Sequence, residues 1–182
     1  MFFSVTLIFQ ILQLFNCNTE VGRVGNVVVQ YVDTCRNEPA SSDISCNMAI
    51  KEIDSEGNKG FFCNFTTSIV LDNTTTVEMT LYKWNTAGWK LLDIHKYNFC
   101  ESTLKYFSKV WYKLLEAVTP PPGDVCFLPP GEYSINNFQV SLSDIDIPSY
   151  YYGLVQRISK IYKNGKMILC LMSEELIQPY DS

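Results

Sequence analysis

The sequence has little positive charge and little histidine, and each shortage argues against a class of function. Lysine and arginine together number 14 against 19 aspartates and glutamates, which leaves a net charge of −5. Nucleic acids bind to cationic surfaces, so we expect no nucleic-acid partner. The single histidine, His95, provides neither a histidine-rich metal site nor a recognisable histidine pair for nucleophilic catalysis. The cysteines form no C-x-x-C pair, which argues against redox and zinc motifs.

Two sets of polar residues could be taken for catalytic or metal-binding groups. His95 lies on a predicted strand without a nucleophile or an acid at a recognisable spacing. Asp144 and Asp146 lie in a Ser-Asp-Ile-Asp-Ile-Pro run without a metal-loop motif around them, so we expect a loop or strand-edge role. We therefore predict no catalytic residue, no metal, no cofactor and no enzymatic activity. A hydrolase or transferase that depends on His95 is the alternative.

The sequence does have enough apolar material for one domain. Hydrophobic residues make up 47% of the 182 residues and charged residues only 18%, which excludes a disordered chain. The run Met1–Phe15 has no charged side chain and is too short to span a membrane, so residues 1–18 are predicted to be a secretory signal peptide. Cleavage is expected between Asn16 and Glu20, and a buried terminal helix or strand is the alternative. Residues 19–182 then form a single secreted, extracellular domain.

Cysteines and glycosylation sequons agree with a secretory route. Cys17 lies beside the signal, and six cysteines remain after it: Cys35, Cys46, Cys63, Cys100, Cys126 and Cys170. An even number in a secreted domain predicts three disulfides, and counting alone leaves their pairing open. The sequons Asn64-Phe-Thr and Asn73-Thr-Thr predict N-linked glycans on Asn64 and Asn73.

Short strand-like segments recur along the chain between turn signals. They cover residues 27–35, 44–53, 61–71, 77–81, 89–97, 132–142, 154–162 and 166–172. Asn164-Gly165 is a strong hairpin turn, because both residues readily take positive φ. We predict a mostly β fold, an immunoglobulin-like β-sandwich or β-cup of seven to eight antiparallel strands.

One segment, about residues 101–118, has helical rather than strand periodicity. Its apolar positions are Leu104, Phe107, Val110, Trp111, Leu114 and Leu115. Lys105, Lys109 and Lys113 fall four residues apart on the other face, and Thr119-Pro-Pro-Pro-Gly prevents the helix from continuing. We predict one amphipathic helix over the sandwich or its open end. The lysines are expected to form a solvated face, with contact to anionic headgroups or a charged partner as the alternative.

From Cys100 onward, a series of motifs follows in a fixed order. They are Cys100, Cys126-Phe127, Gly131-Glu-Tyr133-Ser134, Phe138, Val140, Asp146-Ile-Pro148-Ser149-Tyr150, Gly153, Arg157-Ile158, Gly165-Lys166 and Cys170. In order and spacing, this series resembles the ganglioside-activator branch of the ML lipid-recognition domains, and most closely its arthropod chemosensory-type relatives. The chain departs from that family at Phe127, where the family has proline, and at Tyr150, where it has tryptophan.

The resemblance implies two of the disulfides and a lipid-binding cavity. It pairs Cys35 with Cys170 and Cys100 with Cys126, which leaves Cys46 with Cys63 across the hairpin of residues 54–60. The candidates for the cavity and its rim are aromatic and apolar: Phe107, Trp111 and Leu115 on the helix, Phe127 and Leu128 after Cys126, and Tyr150, Tyr151 and Tyr152 at the implied rim. Ordinary core or loop packing is the alternative for each of them.

These observations predict a binding protein. We expect it to hold a lipid or other hydrophobic small molecule between its sheets, for carriage, presentation or chemosensory use, with transient contact to a membrane surface. The alternative is a secreted interaction or effector module with a filled core that binds a protein receptor, whose identity the sequence does not indicate. An elongated apolar void between the sheets would favour the first hypothesis, and a solid interior the second.

Overall fold

The structure of the protein, a computed structural model, describes residues 21–22, 26–38, 42–139, 144 and 149–179. The predicted signal segment with its cleavage site, Val140 and the run Asp146–Pro148 lie outside these residues. In the described part strands predominate and two helices occur, which confirms the mostly β fold class. Neither helix in that part is both long and apolar enough to cross a membrane.

The described strands number eleven, eight of them long and three of two residues each. They are β1 (Val21–Gly22), β2 (Asn26–Thr34), β3 (Ile44–Glu52), β4 (Lys59–Thr67), β5 (Thr76–Asn85), β6 (Gly88–Asn98), β7 (Val118–Thr119), β8 (Gly131–Phe138), β9 (Tyr150–Tyr151), β10 (Gly153–Lys163) and β11 (Lys166–Gln178). The long strands match the eight predicted segments. β11 is longer than predicted.

The strands form two large antiparallel sheets and one small one. The first has the order β2-β11-β10-β5-β6, the second has the order β3-β4-β8-β7, and β1 pairs with β9. Side chains from both large sheets line one common cavity, so the sheets face each other as a β-sandwich.

Local sequence explains how these strands are connected. The β10–β11 hairpin turns at Asn164 and Gly165, whose φ angles of 52° and 75° are the two positive values that a two-residue turn of this kind needs. The β3–β4 hairpin turns through a loop in which Asp54 accepts hydrogen bonds from the backbone N–H groups of Glu56 and Asn58 at 3.0 and 3.1 Å. Both predicted hairpins are therefore confirmed.

The helical segment differs from its prediction, because it consists of two helices. They are α1 (Phe99–Tyr106) and α2 (Ser108–Ala117). Asn98 is the N-cap of α1, and its side chain accepts a 3.0 Å hydrogen bond from the N–H of Glu101. Phe107 has φ −134° and ψ 24°, which is outside the helical region, so the single helix predicted for residues 101–118 is interrupted there. Neither glycine nor proline marks this interruption in the sequence.

Two disulfides join elements of the described part of the chain. Cys35–Cys170 joins the end of β2 to β11 with a Cα–Cα distance of 5.3 Å, and Cys100–Cys126 joins α1 to the segment before β8 at 5.7 Å. Both pairings agree with those that the resemblance implied. Each also lies in the ordinary Cα–Cα range for a bridged pair.

The third predicted disulfide, Cys46–Cys63, is not formed in the structure. The two Sγ atoms are in contact at 3.5 Å as thiols. Strand register is the physical reason, because Cys46 on β3 lies opposite Phe65 and Cys63 on β4 lies opposite Met48. The cysteines are therefore diagonal neighbours, which are farther apart than directly opposed residues.

Candidate functional site

A cavity of about 230 Å³ lies between the two large sheets. Alternate residues of β3 and β4 point into it, since alternate side chains of a strand share one face. From the second sheet come Ile44, Cys46, Met48, Phe61, Cys63, Phe65 and Ile135, and from the first sheet Leu169 and Leu171. We call this space the apolar cavity, because nearly all of its lining side chains are hydrophobic.

Helix α2 forms one wall of the apolar cavity, which is lined by Trp111 and Leu115, two of the residues singled out in the sequence. The Trp111 ring meets Phe99 edge to face at 5.3 Å, and its Nε1 donates a 2.8 Å hydrogen bond to the carbonyl of Val125. This bond satisfies the one polar atom of the indole and fixes its orientation. Trp111 therefore joins both helices to the segment that contains Cys126.

The segment around Cys126 forms the mouth of the apolar cavity. Phe127 and Leu128, two further residues singled out in the sequence, both line it. Leu128 is held to Leu71 by two backbone hydrogen bonds of 2.8 and 2.9 Å. Phe127 is 45% exposed, so the cavity reaches the protein surface at this residue.

A charged residue at the edge of the apolar cavity is neutralised from outside it. Asp72 lies among the lining residues, and its Oδ1 is 2.5 Å from Lys163 Nζ. The Lys163 ammonium and the hydrogen bonds from Thr74 lower the pKa of Asp72 to about 2. Its charge is thus satisfied by the β4–β5 turn and by β10, and the interior stays apolar.

The thiol pair Cys46 and Cys63 faces the apolar cavity. Contact with the Cys63 thiol lowers the pKa of Cys46, whereas that contact and burial raise the pKa of Cys63. Cys46 is therefore the first of the two to ionise. At neutral pH we treat both as small apolar groups.

A second, larger cavity of about 480 Å³ adjoins the first, and Phe61 lines both. Its other walls include Val27, Val28, Val29, Ile50, Phe107, Val110, Phe138, Tyr150, Arg157 and Glu175. We call it the polar cavity, because it contains a charged pair. Its volume lies in the usual range for small-molecule sites, and the apolar cavity is somewhat smaller.

The charged pair in the polar cavity joins β10 to β11. Arg157 Nη2 lies 3.2 Å from Glu175 Oε2, and Glu175 Oε1 accepts a 3.1 Å hydrogen bond from the Ser173 hydroxyl. Only 25% of the Arg157 side chain and 11% of the Glu175 side chain are exposed. Arg157 Nε is buried and has no hydrogen-bond partner among the described residues. The Glu175 carboxylate raises the pKa of Arg157 further, so the guanidinium stays charged.

The predicted rim tyrosines occupy two different environments. Tyr150 lines the polar cavity, and burial raises its pKa to about 12. Tyr151 and Tyr152 are not among the described residues that line either cavity. They pack instead against a buried cluster of Tyr150, Val155 and Ile177. The Tyr152 phenol occupies the space in which a side chain at Gly22 would begin.

Phe107 also differs from its predicted grouping. It was expected on one inward stripe with Trp111 and Leu115, but it lines the polar cavity while they line the apolar one. Phe107 is itself the non-helical residue between α1 and α2, so its side chain does not continue the helical stripe of Trp111 and Leu115. One sequence segment therefore supplies walls to both cavities.

The sequence also contained a signal for lining residues that were not predicted. Ile44, Cys46 and Met48 alternate along β3, and Phe61, Cys63 and Phe65 alternate along β4. This period of two marks one apolar face on each strand. It could have identified the sheet wall of the apolar cavity once the two segments were recognised as a hairpin.

The other residues singled out in the sequence lie at the surface or in ion pairs. His95 is exposed on β6 with Nε2 2.7 Å from Asp93 Oδ2, and it is not among the described residues that line either cavity. Lys113 forms a 2.6 Å ion pair with the buried Asp144, so it does not belong to a purely solvated lysine face. Asn64 is exposed on β4 and Asn73 in the β4–β5 turn, so both sequons are accessible.

No protein-family model matches the chain, and no curated protein matches it either. The cavities, the residues that line them, the disulfides and the sequence motifs are therefore the basis for a functional proposal.

Proposed function

We propose that the protein is a secreted, extracellular binding protein that holds a lipid or similar hydrophobic molecule between its sheets. The observation on which this rests is the apolar cavity, which both sheets and α2 line and which reaches the surface at Phe127. Ligand sites are concave and mostly apolar, with a few polar groups that fix orientation. The two adjoining cavities have this composition.

The energetics favour binding of an alkyl chain. Each methylene transferred from water into an apolar site gains roughly 0.8 kcal/mol. A long acyl chain therefore gains on the order of 10 kcal/mol before the costs of ordering it. Such a gain is enough for carriage through water or for extraction from a membrane, and no chemical step is required.

The disulfides and the family resemblance support the same proposal. Two disulfides favour an oxidising compartment, which agrees with a secretory signal over residues 1–18 and with glycans on Asn64 and Asn73. The motif series over residues 100–170 resembles lipid-recognition domains of the ganglioside-activator branch. A cup that stays open lacks part of the packed core, and covalent ties offset that loss.

Contact with a membrane surface is part of the proposal. Tyr106, Tyr112 and Phe127, which lie on the helices or at the mouth, are 39%, 49% and 45% exposed. Lys105 Nζ lies 4.9 Å from the centre of the Tyr106 ring. Aromatic rings beside a cation suit the boundary between headgroups and acyl chains. A ligand could then enter at Phe127 directly from a lipid surface.

Filling the apolar cavity tests the proposal. Leu115→Trp places a large ring in the cavity, whereas Leu91→Trp makes the same change on β6, where Leu91 is 49% exposed. We expect the unmodified protein and Leu91→Trp to bind the uncharged fluorophore N-phenyl-1-naphthylamine alike, and Leu115→Trp to bind it at least about 10-fold more weakly.

Circular dichroism first establishes that both variants fold. Absence of binding by the unmodified protein, together with no lipid in its native mass spectrum, would contradict the proposal and favour the filled-core interaction module. Equal binding by the two tryptophan variants would place the ligand elsewhere.

A further inference from the structure

We infer that the polar cavity selects an uncharged polar end group, such as the hydroxyl of a fatty alcohol or the carbonyl of an ester, over a carboxylate. The residues that discriminate between these end groups are Arg157 and Glu175. This inference rests on the proposed function, because it assigns a head to the ligand whose chain occupies the apolar cavity.

The inner face of β11 leads from one cavity to the other. Leu169 and Leu171 line the apolar cavity, and the residues two and four positions further on the same face are Ser173 and Glu175. Glu175 lies roughly 14 Å along the strand from Leu171. An alkyl chain of medium length covers this distance, and Phe61 borders both spaces.

The hydrogen-bonding groups of the pair favour a ligand whose end group accepts hydrogen bonds. Both carboxylate oxygens of Glu175 are already engaged, one by Arg157 and the other by Ser173. Arg157 has five N–H donors, and its buried Nε is unpartnered among the described residues. A buried donor without an acceptor is unfavourable, so an oxygen that enters the polar cavity beside the guanidinium relieves that cost.

The net charge of the pair determines whether a charged or an uncharged acceptor binds better. Arg157 and Glu175 together are neutral, and both are mostly shielded from solvent. A ligand carboxylate beside them would leave one net negative charge in a poorly hydrated space, next to the Glu175 carboxylate. An alcohol or ester oxygen accepts the same hydrogen bond without this penalty. The pair therefore has no net charge to attract a carboxylate, but it has N–H groups that can donate hydrogen bonds to an uncharged oxygen.

Displacement of N-phenyl-1-naphthylamine by four ligands of equal chain length tests the inference. The ligands are dodecanol, methyl dodecanoate, dodecanoate at pH 7.5 and dodecane. We expect dodecanol and the ester to compete better than dodecane, and at least about 10-fold better than dodecanoate. Failure of the fluorophore and of dodecane to bind contradicts the proposed function itself. Normal binding of both, with dodecanoate equal to or better than dodecanol, overturns only the inference.

A matched pair of variants identifies the residue responsible. Glu175→Gln removes the negative charge beside Arg157, and Glu174→Gln removes the same charge from the other face of β11, where Glu174 accepts from Gln156 at 2.9 Å. We expect Glu175→Gln to reduce the discrimination against dodecanoate about 10-fold and Glu174→Gln to leave it unchanged. Unchanged discrimination in a folded Glu175→Gln protein would overturn the assignment. If that variant does not fold, the four-ligand series on the unmodified protein decides.

Discussion

The two cavities of this sandwich differ in how their walls are held. The apolar cavity is bounded by hydrophobic strand faces, by α2 and by a mouth that the Cys100–Cys126 disulfide ties to α1. The polar cavity is bounded by loop and strand residues and by Val110 of α2, around the Arg157–Glu175 pair. One space is maintained by a covalent bond and aromatic packing, and the other by a shielded ion pair.

This difference indicates how one protein interior could bind both the alkyl chain and the polar head of an amphiphile. An empty apolar space loses contacts and needs rigid walls, whereas a shielded ion pair is costly in itself and is retained where it has another use. Four changes, from the largest expected effect to the smallest, test whether the two spaces are held as described.

The largest loss is expected from breaking the ion pair on one side only. Arg157→Met leaves Glu175 shielded and uncompensated, which should lower the free energy of unfolding by about 3–5 kcal/mol. The double variant Arg157→Met/Glu175→Leu should regain most of that loss, because no unpaired charge remains. Urea unfolding of the three proteins measures both effects. A double variant as unstable as the single one would show that packing, and not charge, holds the polar cavity.

A loss of about 3–4 kcal/mol is expected when the covalent tie beside the apolar cavity is removed. Cys100→Ser/Cys126→Ser opens a loop with a sequence separation of 26 residues, and chain entropy gives the loss. Binding of N-phenyl-1-naphthylamine should also weaken, since the mouth segment loses its anchor.

Its control is Cys35→Ser/Cys170→Ser, whose loop has a separation of 135 residues and whose cysteines are not among the described lining residues. We expect this control to lose at least as much stability but to bind the fluorophore normally where it remains folded. Weakened fluorophore binding in the control, with normal binding in Cys100→Ser/Cys126→Ser, would show that the mouth does not depend on the Cys100–Cys126 bond.

An intermediate effect is expected at the indole that joins the helices to the mouth. Trp111→Phe preserves an aromatic ring against Phe99 but removes the hydrogen bond to the Val125 carbonyl. The expected loss is about 1–2 kcal/mol, again from urea unfolding. Trp89→Phe, whose ring packs edge to face on Trp84 at 5.2 Å, is the matched change outside the cavities. A larger loss in Trp89→Phe would contradict the role given to Trp111.

The smallest effect is expected from Asp72, whose charge is neutralised at the edge of the apolar cavity. Because its pKa falls to about 2 in the folded protein, ionised Asp72 stabilises the fold above the unfolded pKa of about 4. This stabilisation is lost as the pH falls through about 2. Asp72→Asn should therefore cost at most about 1 kcal/mol at pH 7. The difference from the unmodified protein should shrink between pH 4 and pH 2, and a difference independent of pH would contradict the Lys163 pairing.

Much of the fold could be predicted from local patterns. Strand alternation, the Asn164-Gly165 turn and the prolines after Thr119 each act over a few residues, so the sequence was sufficient for the eight long strands and their hairpins. The interruption at Phe107 was not predictable in this way, because no residue there disfavours a helix. We attribute it to tertiary packing, because Phe107 lines the polar cavity while Trp111 and Leu115 line the apolar one.

The ion pair could not be predicted because it depends on a β-bulge. Lys163 pairs with Lys166 at the turn, but the register shifts between Ile161 and Tyr162, so that Arg157 lies opposite Ser173. Without this shift Arg157 would lie opposite Met172, and Glu174 would share its face in place of Glu175. A single extra residue in β11 thus decides which carboxylate faces the polar cavity, and nothing in the local sequence marks it.

The most direct test of the central claim, that the space between the sheets accepts an alkyl chain, is to label its walls. A dodecanol with a diazirine near the end of its chain is bound and irradiated, and the modified peptides are identified by mass spectrometry. We predict labels on α2 and on the segment that contains Phe127 and Leu128, and a loss of these labels when excess dodecanol is present. Labels confined to exposed surfaces such as β6, or labels that excess dodecanol does not remove, would contradict the claim.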